Sequence, residues 1–467
     1  MMPSSTRLEA DSLGIVEISA DSLFGVQTQR AVDNFRITGM PVARHGHLIR
    51  ALAMVKRAAA EANRRLGLLT GEIADAIKIA CDEVIAGRHR DAFPVDVLQG
   101  GAGTSTNMNM NEVIANLALQ KLGRSPGDYA VIHPNDHVNL SQSTNDAYPS
   151  AARLSLLFAE EELSRAVAAL ADAFAAKGAD YAHVLKLGRT QLQDAVPMTA
   201  GQELTAFAVT LREDIARLEE TVGLFREINL GGTAIGTGLN APPSYSELAI
   251  AELSRLSGHD LARAQNLIEA TWDMGAFVLF SGMLKRLAVK LSKIANDLRL
   301  LSSGPRGGLS EIRLPAMQPG SSIMPGKVNP VIPEAVSMVC YQVIGHDTAI
   351  TFAAEAGQLQ LNAFEPLIVH NLHDCIAMLT AAADMLRERC VDGLSVDAAQ
   401  CLKHLDHSTA LVTALVPLLG YARSAEIAKE ALRSGVTLRE VAEETGGLSR
   451  QDFDRLTDPL RLANGSV

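Results

Sequence analysis

Apolar residues recur along this chain at the three-to-four spacing of helices far more often than at the alternation of strands. The first forty-odd residues show no sustained period. Leu48, Leu52, Val55 and Ala59 then predict a helix, and a second is expected from about Gly71 to Ile85. From Asp91 to Asn109 the chain carries Pro94 and QGGAGTSTN and reads as a polar loop, with another helix beginning near Asn111. Beyond Tyr148 the scale changes. Leu154, Leu157, Leu163, Val167, Leu170 and Phe174 form one stripe running toward Gly178, and Met198 to about Phe225 forms a second long segment. A third runs from Leu267 to Leu301, about 50 Å at roughly 1.5 Å per residue. Gly304 and Pro305 in SSGPRGG must end it. Further long patterns follow Pro333 and Pro366.

Such lengths predict a mainly all-α chain built on a central long-helix bundle. The stripes are wider than one bundle buries, which points to packing against other copies; a large monomeric helical domain is the alternative. After Val396 the segments shorten to Val396–Val416 (stopped by Pro417), Ser424–Ser434 and Leu438–Glu444, with turns at Gly435, Gly446 and Gly447. Three parts are therefore expected: an N-terminal region 1–145, the bundle 146–396, and a small C-terminal helical domain 397–467.

Composition narrows the function. Lys and Arg number 42 against 53 Asp and Glu, a net charge of −11 that disfavours nucleic acid or an anionic membrane as partner. With 47% hydrophobic and 20% charged residues the chain can bury a large core. The five cysteines (Cys81, Cys340, Cys375, Cys390 and Cys401) form no CxxC pair and suit a reducing compartment. The start, MMPSSTRLEADSLG, lacks the apolar core of a secretion signal, and no apolar run reaches membrane-spanning length, so a cytoplasmic location is expected.

Four breaks between helices hold more hydroxyls, amides and glycines than connectors need: Gly100–Asn107 (GGAGTSTN), His133–Asp146 (HPNDHVNLSQSTND), Gly188–Asp194 (GRTQLQD) and Gly320–Pro330 (GSSIMPGKVNP). Each alone reads more readily as a cap or turn. The first lacks GK[ST], so it is no Walker loop, and it lacks the strand context of a dinucleotide fingerprint. Together they offer neutral donors (Thr104, Ser143, Thr144, Asn145, Thr190, Asn329) and a few cations (Arg189, Lys327), a mixture suited to a small dicarboxylate. The fourth is the most specific. Pro319, Pro325 and Pro330 restrict the chain while Gly320 and Gly326 free it, and a serine there can be ringed by backbone N–H groups. Those groups would stabilise the alkoxide that a serine base requires.

GSSIMPGKVNP resembles the signature of the fumarase/aspartase superfamily, whose members eliminate a group from a succinyl-type substrate to give fumarate. The resemblance extends through GVQTQR, GGAGTSTNMNMNEV, HPNDHVN, SQSTNDAYP, GRTQLQDAVPMTAGQE, GGTAIGTGLN, KIANDLRLLSSGPRGGLSEI and AEAGQLQLN. It implies either the aspartase (aspartate ammonia-lyase) branch or class II fumarase. Class II fumarases read GRTHLQD where this chain has Gln191, and an amide cannot exchange a proton near neutral pH. An ammonium group leaves without acid assistance, so Gln191 suits loss of ammonia from L-aspartate better than loss of water from L-malate. GGAGTSTN and AEAGQLQLNAFEP also look like aspartase, whereas GYARSAEIAKEAL looks like fumarase, and HPND near His133 matches a secondary anion site of fumarases.

By the same resemblance Ser321 is the catalytic base. Thr104, Ser143, Thr144 and Ser322 would hold the β-carboxylate, and Thr190, Lys327 and Asn329 the α-carboxylate. Asn145 and Gln191, with Thr104, would orient the amine. The resemblance also implies a homotetramer whose sites are each built from three chains. No redox or nucleotide cofactor is needed, and a divalent cation is expected only as an activator. His45 and His47, and the Cys401/His404/His407 spacing, read as solvated or capping groups, not metal ligands. Trp272 reads as core, and Met108 and Met110 as packing beneath the first loop. A non-catalytic relative, as among lens proteins, would have lost the base or its carboxylate ligands, which are present here.

Overall fold

A computed structural model describes residues 6–463. Its first element is an antiparallel hairpin of β1 (Thr6–Asp11) and β2 (Gly14–Ser19). Then come α1 (Val26–Asn34), α2 (Gly46–Arg65), α3 (Gly71–Ile85), α4 (Thr104–Lys121) and the long α5 (Thr144–Asp180). A second antiparallel hairpin, β3 (Leu185–Thr190) with β4 (Gln193–Thr199), leads to α6 (Ala200–Val222) and α7 (Tyr245–Ser257). After one turn, α8 (Glu269–Trp272), follow α9 (Gly275–Leu301), α10 (Val331–Glu355) and α11 (Glu365–Leu386). The C-terminal helices are short: α12 (Ala398–Asp406), α13 (Val416–Leu419), α14 (Tyr421–Ser434), α15 (Leu438–Glu444), α16 (Arg450–Leu456) and α17 (Pro459–Ala463). The chain is mainly α-helical with several long helices, as its periodicity predicts.

The chain forms two compact units. The first holds the described residues up to Leu163 with Arg217–Lys285 and Gln342–Met378; the second holds Ser164–Ala216, Arg286–Tyr341 and the residues from Leu379 onward. In the first unit α2 lies against α3, α4 and α7. Leu48, Leu52, Val55 and Ala59 are buried, and so are Ala51, Ala53, Ala58 and Ala62 on its other faces. Alanine at these positions lets neighbouring helices approach closely, and each buried Leu or Val adds about 1.5–3 kcal/mol. In the second unit Leu415, Ile427, Leu438, Val441 and Phe453 form a small core for the C-terminal helices. The side chains of Thr437 and Glu440 cap α15 reciprocally.

The GVQT stretch also has a structural reason. Helix α1 begins at Gly25 with no side-chain cap of its own. The buried Glu112 of α4 supplies it, accepting from the N–H groups of Gly25, Gln27 and Thr28 at 2.8, 2.9 and 3.1 Å and from Thr28 Oγ1 at 2.6 Å. A Cβ on Gly25 would lie 2.8 Å from the Glu112 carboxyl carbon and 2.5 Å from Glu9 Oε2, so only glycine fits.

Several expectations need correction. Helix α4 starts at Thr104, not near Asn111, because Gly103 at φ +87° opens it. Its buried face carries Thr106, Asn107, Asn109 and Asn111, which hides the apolar period. The unpatterned N-terminus forms a hairpin and a helix. The 267–301 segment breaks between α8 and α9, where Asp273 Oδ2 accepts from Gly275 N at 3.0 Å. Trp272 is 43% exposed and not core, whereas Met108 and Met110 are buried as expected. The Val396–Val416 segment is also interrupted: it is helical in α12, then turns at Ser408, whose hydroxyl donates to Leu405 O and accepts from Ala410 N. Pro417 opens α13 instead of stopping a helix, a first-turn place that suits its missing N–H.

Replacing Glu112 by Ala should lower unfolding free energy by about 3 kcal/mol, because four donors lose a buried anion. Denaturant unfolding followed by circular dichroism measures it.

Candidate active site

The first two polar loops meet inside the first unit. A Cβ on Gly103 would fall 2.6–2.8 Å from the Tyr148 ring, so the GGAG turn rests on the first turns of α5. Behind it, Asn139 Oδ1 accepts from Lys56 Nζ at 2.9 Å, Asn111 Nδ2 at 3.1 Å and Asn107 Nδ2 at 3.2 Å. Asn107 Nδ2 also donates to Thr144 Oγ1 at 3.2 Å. Lys56 is fully buried and reaches Gln142 Oε1 at 2.9 Å; burial pulls its pKa down to about 7 against the pull of Asp146. Amides thus fix the floor beneath Thr104, Ser143 and Thr144.

Asp146 fixes the rim. Its carboxylate is fully buried and accepts from Ser143 N at 2.9 Å, Gly231 N at 3.0 Å and Thr233 N at 2.9 Å. Desolvation raises its pKa, and those three N–H groups oppose the rise. They tie the SQSTND loop to the GGTAIG turn. Pro149, inside α5, has no N–H for the carbonyl of Asn145 four residues back. That carbonyl instead accepts from Asn229 Nδ2 at 2.9 Å. Asn145 Nδ2 donates to Ala234 O at 2.8 Å. Asp146, Asn229 and Thr233 were absent from the sequence-derived set. The signal that marks them is the glycine density of GGTAIGTGLN: a Cβ on Gly236 would lie 2.4 Å from the backbone at Leu267 and Ile268.

In the second unit, Thr190 and Gln191 sit at the exposed tip of the β3–β4 hairpin. Gln191 and Leu192 adopt φ +54° and +62°, the left-handed pair that a two-residue turn demands and that Gly or Asn ordinarily fills. Arg189, counted from sequence among the substrate-facing cations, is engaged elsewhere. Its Nη2 donates to the fully buried Glu311 at 2.6 Å, and Glu311 also meets Lys186 at 3.1 Å and His404 Nδ1 at 2.8 Å. Burial raises the Glu311 pKa, but Arg189, Lys186 and His404 together hold it below the ordinary carboxylate value. His404 bonds Gln400 through its other nitrogen, which accounts for that histidine without a metal.

The signature loop closes on itself. Gly320 N donates to Lys327 O at 2.7 Å, and Asn329 Nδ2 donates to Gly320 O at 2.8 Å. A Cβ on Gly320 would lie 2.7 Å from Lys327 O, so the neck requires glycine. Ser321 Oγ accepts from the backbone N–H groups of Ile323 at 3.2 Å and Met324 at 3.0 Å. Two donors directed at one hydroxyl oxygen favour its anionic form. Ser322 and Lys327 are exposed, as is Ile323 at 83%.

Thr104, Ser143, Thr144 and Asn145 therefore gather in the first unit. In the second, Ser321, Ser322, Lys327 and Asn329 share one loop and Thr190 and Gln191 one hairpin tip. No hydrogen bond among the described residues joins that loop to that tip.

Asp146→Asn should place an amide N–H against a backbone N–H. Turnover should fall at least about 10²-fold, with a stability loss of about 2 kcal/mol. Steady-state kinetics with denaturant unfolding measures both.

Residues 14–345 match the family described as Lyase, and residues 411–464 the family described as Fumarase C C-terminus. The chain is 58% identical to an aspartate ammonia-lyase of Pseudomonas fluorescens across 99% of this chain and 96% of that one. It is similar to a fumarate lyase:delta crystallin from Brucella melitensis bound to cobalt, with 60% identity and a TM-score of 0.96 over 98% of this chain and 100% of that one. It is similar also to a class II fumarase from Schistosoma mansoni, with 36% identity and a TM-score of 0.93 over 99% of this chain and 100% of that one.

Proposed function

The chain belongs to the fumarase/aspartase family of lyases, and from that premise we propose that it is an aspartate ammonia-lyase, converting L-aspartate to fumarate and ammonia. The observation that carries the chemistry is the Ser321 hydroxyl beneath two backbone N–H groups in a glycine-necked loop that also bears Lys327. Ser321, as alkoxide, takes the proton from Cβ. The electron pair flows into the β-carboxylate as an enediolate-like dianion, returns to form the Cα–Cβ double bond, and the C–N pair leaves with nitrogen as ammonia, anti to the proton.

Donors that strengthen as charge grows lower this barrier most. Thr104, Ser143, Thr144 and Ser322 serve the β-carboxylate, and Thr190, Lys327 and Asn329 the α-carboxylate. Asn145 and Gln191, with Thr104, orient the amine; Asn145 already gives its N–H to Ala234, leaving Oδ1 to accept from an ammonium. The reaction itself needs no redox or nucleotide cofactor, and its bond-breaking steps call on a divalent cation at most as an activator. Dehydration of L-malate is the second reading, favoured by the fumarase-type C-terminal segment. Gln191 favours ammonia, since an amide offers no proton to departing hydroxide.

The enzyme works as a homotetramer with each site drawn from three chains. This reading is supported by Val289, Met338, Tyr341 and Phe352, each more than half exposed on long helices. It works in the cytoplasm, where five buried free cysteines stay reduced. No helix among the described residues is long and apolar enough to cross a membrane.

Fumarate absorbance should rise with L-aspartate and far more slowly with L-malate; the reverse order would make the enzyme a fumarase. Ser321→Ala should retain less than about 10⁻³ of the rate while substrate analogues still bind, and Lys327→Ala should chiefly raise KM. Co-expressing Ser321→Ala with Asn145→Ala should restore about a quarter of wild-type activity if those side chains come from different chains, and none if one chain supplies both.

A further inference from the structure

Apart from the polar loops, three side chains of the first unit converge with no part in the elimination. His45 stands at the N-terminal edge of α2, and His370 and Asp374 lie one turn apart on α11. His45 Nε2 and His370 Nδ1 are 2.9 Å apart, His370 Nε2 and Asp374 Oδ2 are 3.9 Å apart, and one donor atom from each residue lies within 4.8 Å of the other two. The sequence reading of His45 as solvated or capping fails on burial, since it is 6% exposed and its side chain caps nothing. His373 supports the group from behind. Its ring stacks on His45 with centroids 5.2 Å apart, and its Nε2 lies 2.8 Å from Ser155 Oγ.

Burial disfavours imidazolium at both positions, holding His45 down to about 4 and His370 below the ordinary value. A small void of about 10 Å³ opens beside the two rings against Gln99 and Tyr148, on a side that Asp374 does not line.

From this geometry we propose that His45, His370 and Asp374 bind one divalent ion of the zinc or cobalt class, as a structural clip between the start of α2 and α11. Two imidazoles and a carboxylate form a donor set that first-row transition ions prefer over magnesium or calcium. A tetrahedral ion with bonds of about 2.1 Å holds its ligand atoms about 3.4 Å apart. The Asp374 carboxylate must therefore swing toward the rings and release Arg44, whose Nε lies 3.2 Å from it and whose side chain is half exposed. Water completes the coordination. The ion stabilises the fold by mass action, joining positions 325 residues apart in the sequence.

The full chain, stripped by chelator and dialysed, is titrated with Zn²⁺ alone by calorimetry and with Co²⁺ alone by visible absorption, while thermal unfolding is followed. The expected result is one ion per chain, cobalt bands of a low-symmetry nitrogen–oxygen site, and a Tm rise of several degrees with zinc. His370→Ala and the shape-conserving Asp374→Asn should each weaken binding at least about 10-fold and remove the Tm rise, with turnover of L-aspartate retained. Arg44→Ala should bind more tightly, because a competing cation is gone, and His89→Ala should bind as wild type. The proposal is overturned if wild type takes up no ion at about 100 µM. It is equally overturned if Asp374→Asn, folded by circular dichroism, binds zinc as wild type does, since the ion would then lie elsewhere.

Discussion

One buried carboxylate shapes the rim of the polar loops in the first unit. Asp146 has no contact with water, and an anion so placed is tolerable only while donors surround it. Three backbone N–H groups from two separate loops do so, which forces those loops to keep one spacing. Thr144 and Asn145 immediately precede it, so their placement follows from its satisfaction. The proline three residues on completes the arrangement by leaving the Asn145 carbonyl free for Asn229. A local breach of helix bonding thereby becomes a tertiary tie.

The second unit repeats the device with Glu311. Its carboxylate gathers Lys186, Arg189 and His404, drawing β3 toward the segment around α12 and holding the hairpin from its base. The tip is left free to present Thr190 and Gln191. In both units a buried charge lies beneath a mainly neutral polar surface, to which the second unit adds the exposed cation Lys327. That division suits a dianionic transition state, for which preoriented neutral dipoles are effective without adding a fixed charge next to the base.

The sequence disclosed several helices with one apolar face, as in α2, α3, α6 and α15, but passed over α1 and α7. It failed where the buried face is polar, as along Thr106 to Asn111, since hydropathy cannot register an asparagine that is satisfied by another asparagine. Short hairpins escaped for a different reason: strands of six or seven residues offer too few alternations to stand out. Of the candidate site, the hydroxyl-bearing loops stood out because glycine, proline and serine cluster there, while the role of Ser321 came from the family resemblance. Asp146 and Asn229 were not singled out, because their partners (backbone N–H groups for Asp146; the Asn145 carbonyl, Thr271 and Ser150 for Asn229) are mostly distant in sequence and only the fold brings those near. Arg189 was misjudged for the converse reason. A cation beside polar residues looks available until the acid that claims it, 122 positions away, is seen.

The left-handed pair at Gln191 and Leu192 bears on how such an enzyme could change trade. The left-handed backbone fixes the turn of the hairpin tip, and the Gln191 side chain is exposed there. On the proposed assignment, a substitution at Gln191 would change the leaving-group contact while leaving the Gly320–Pro330 loop in place.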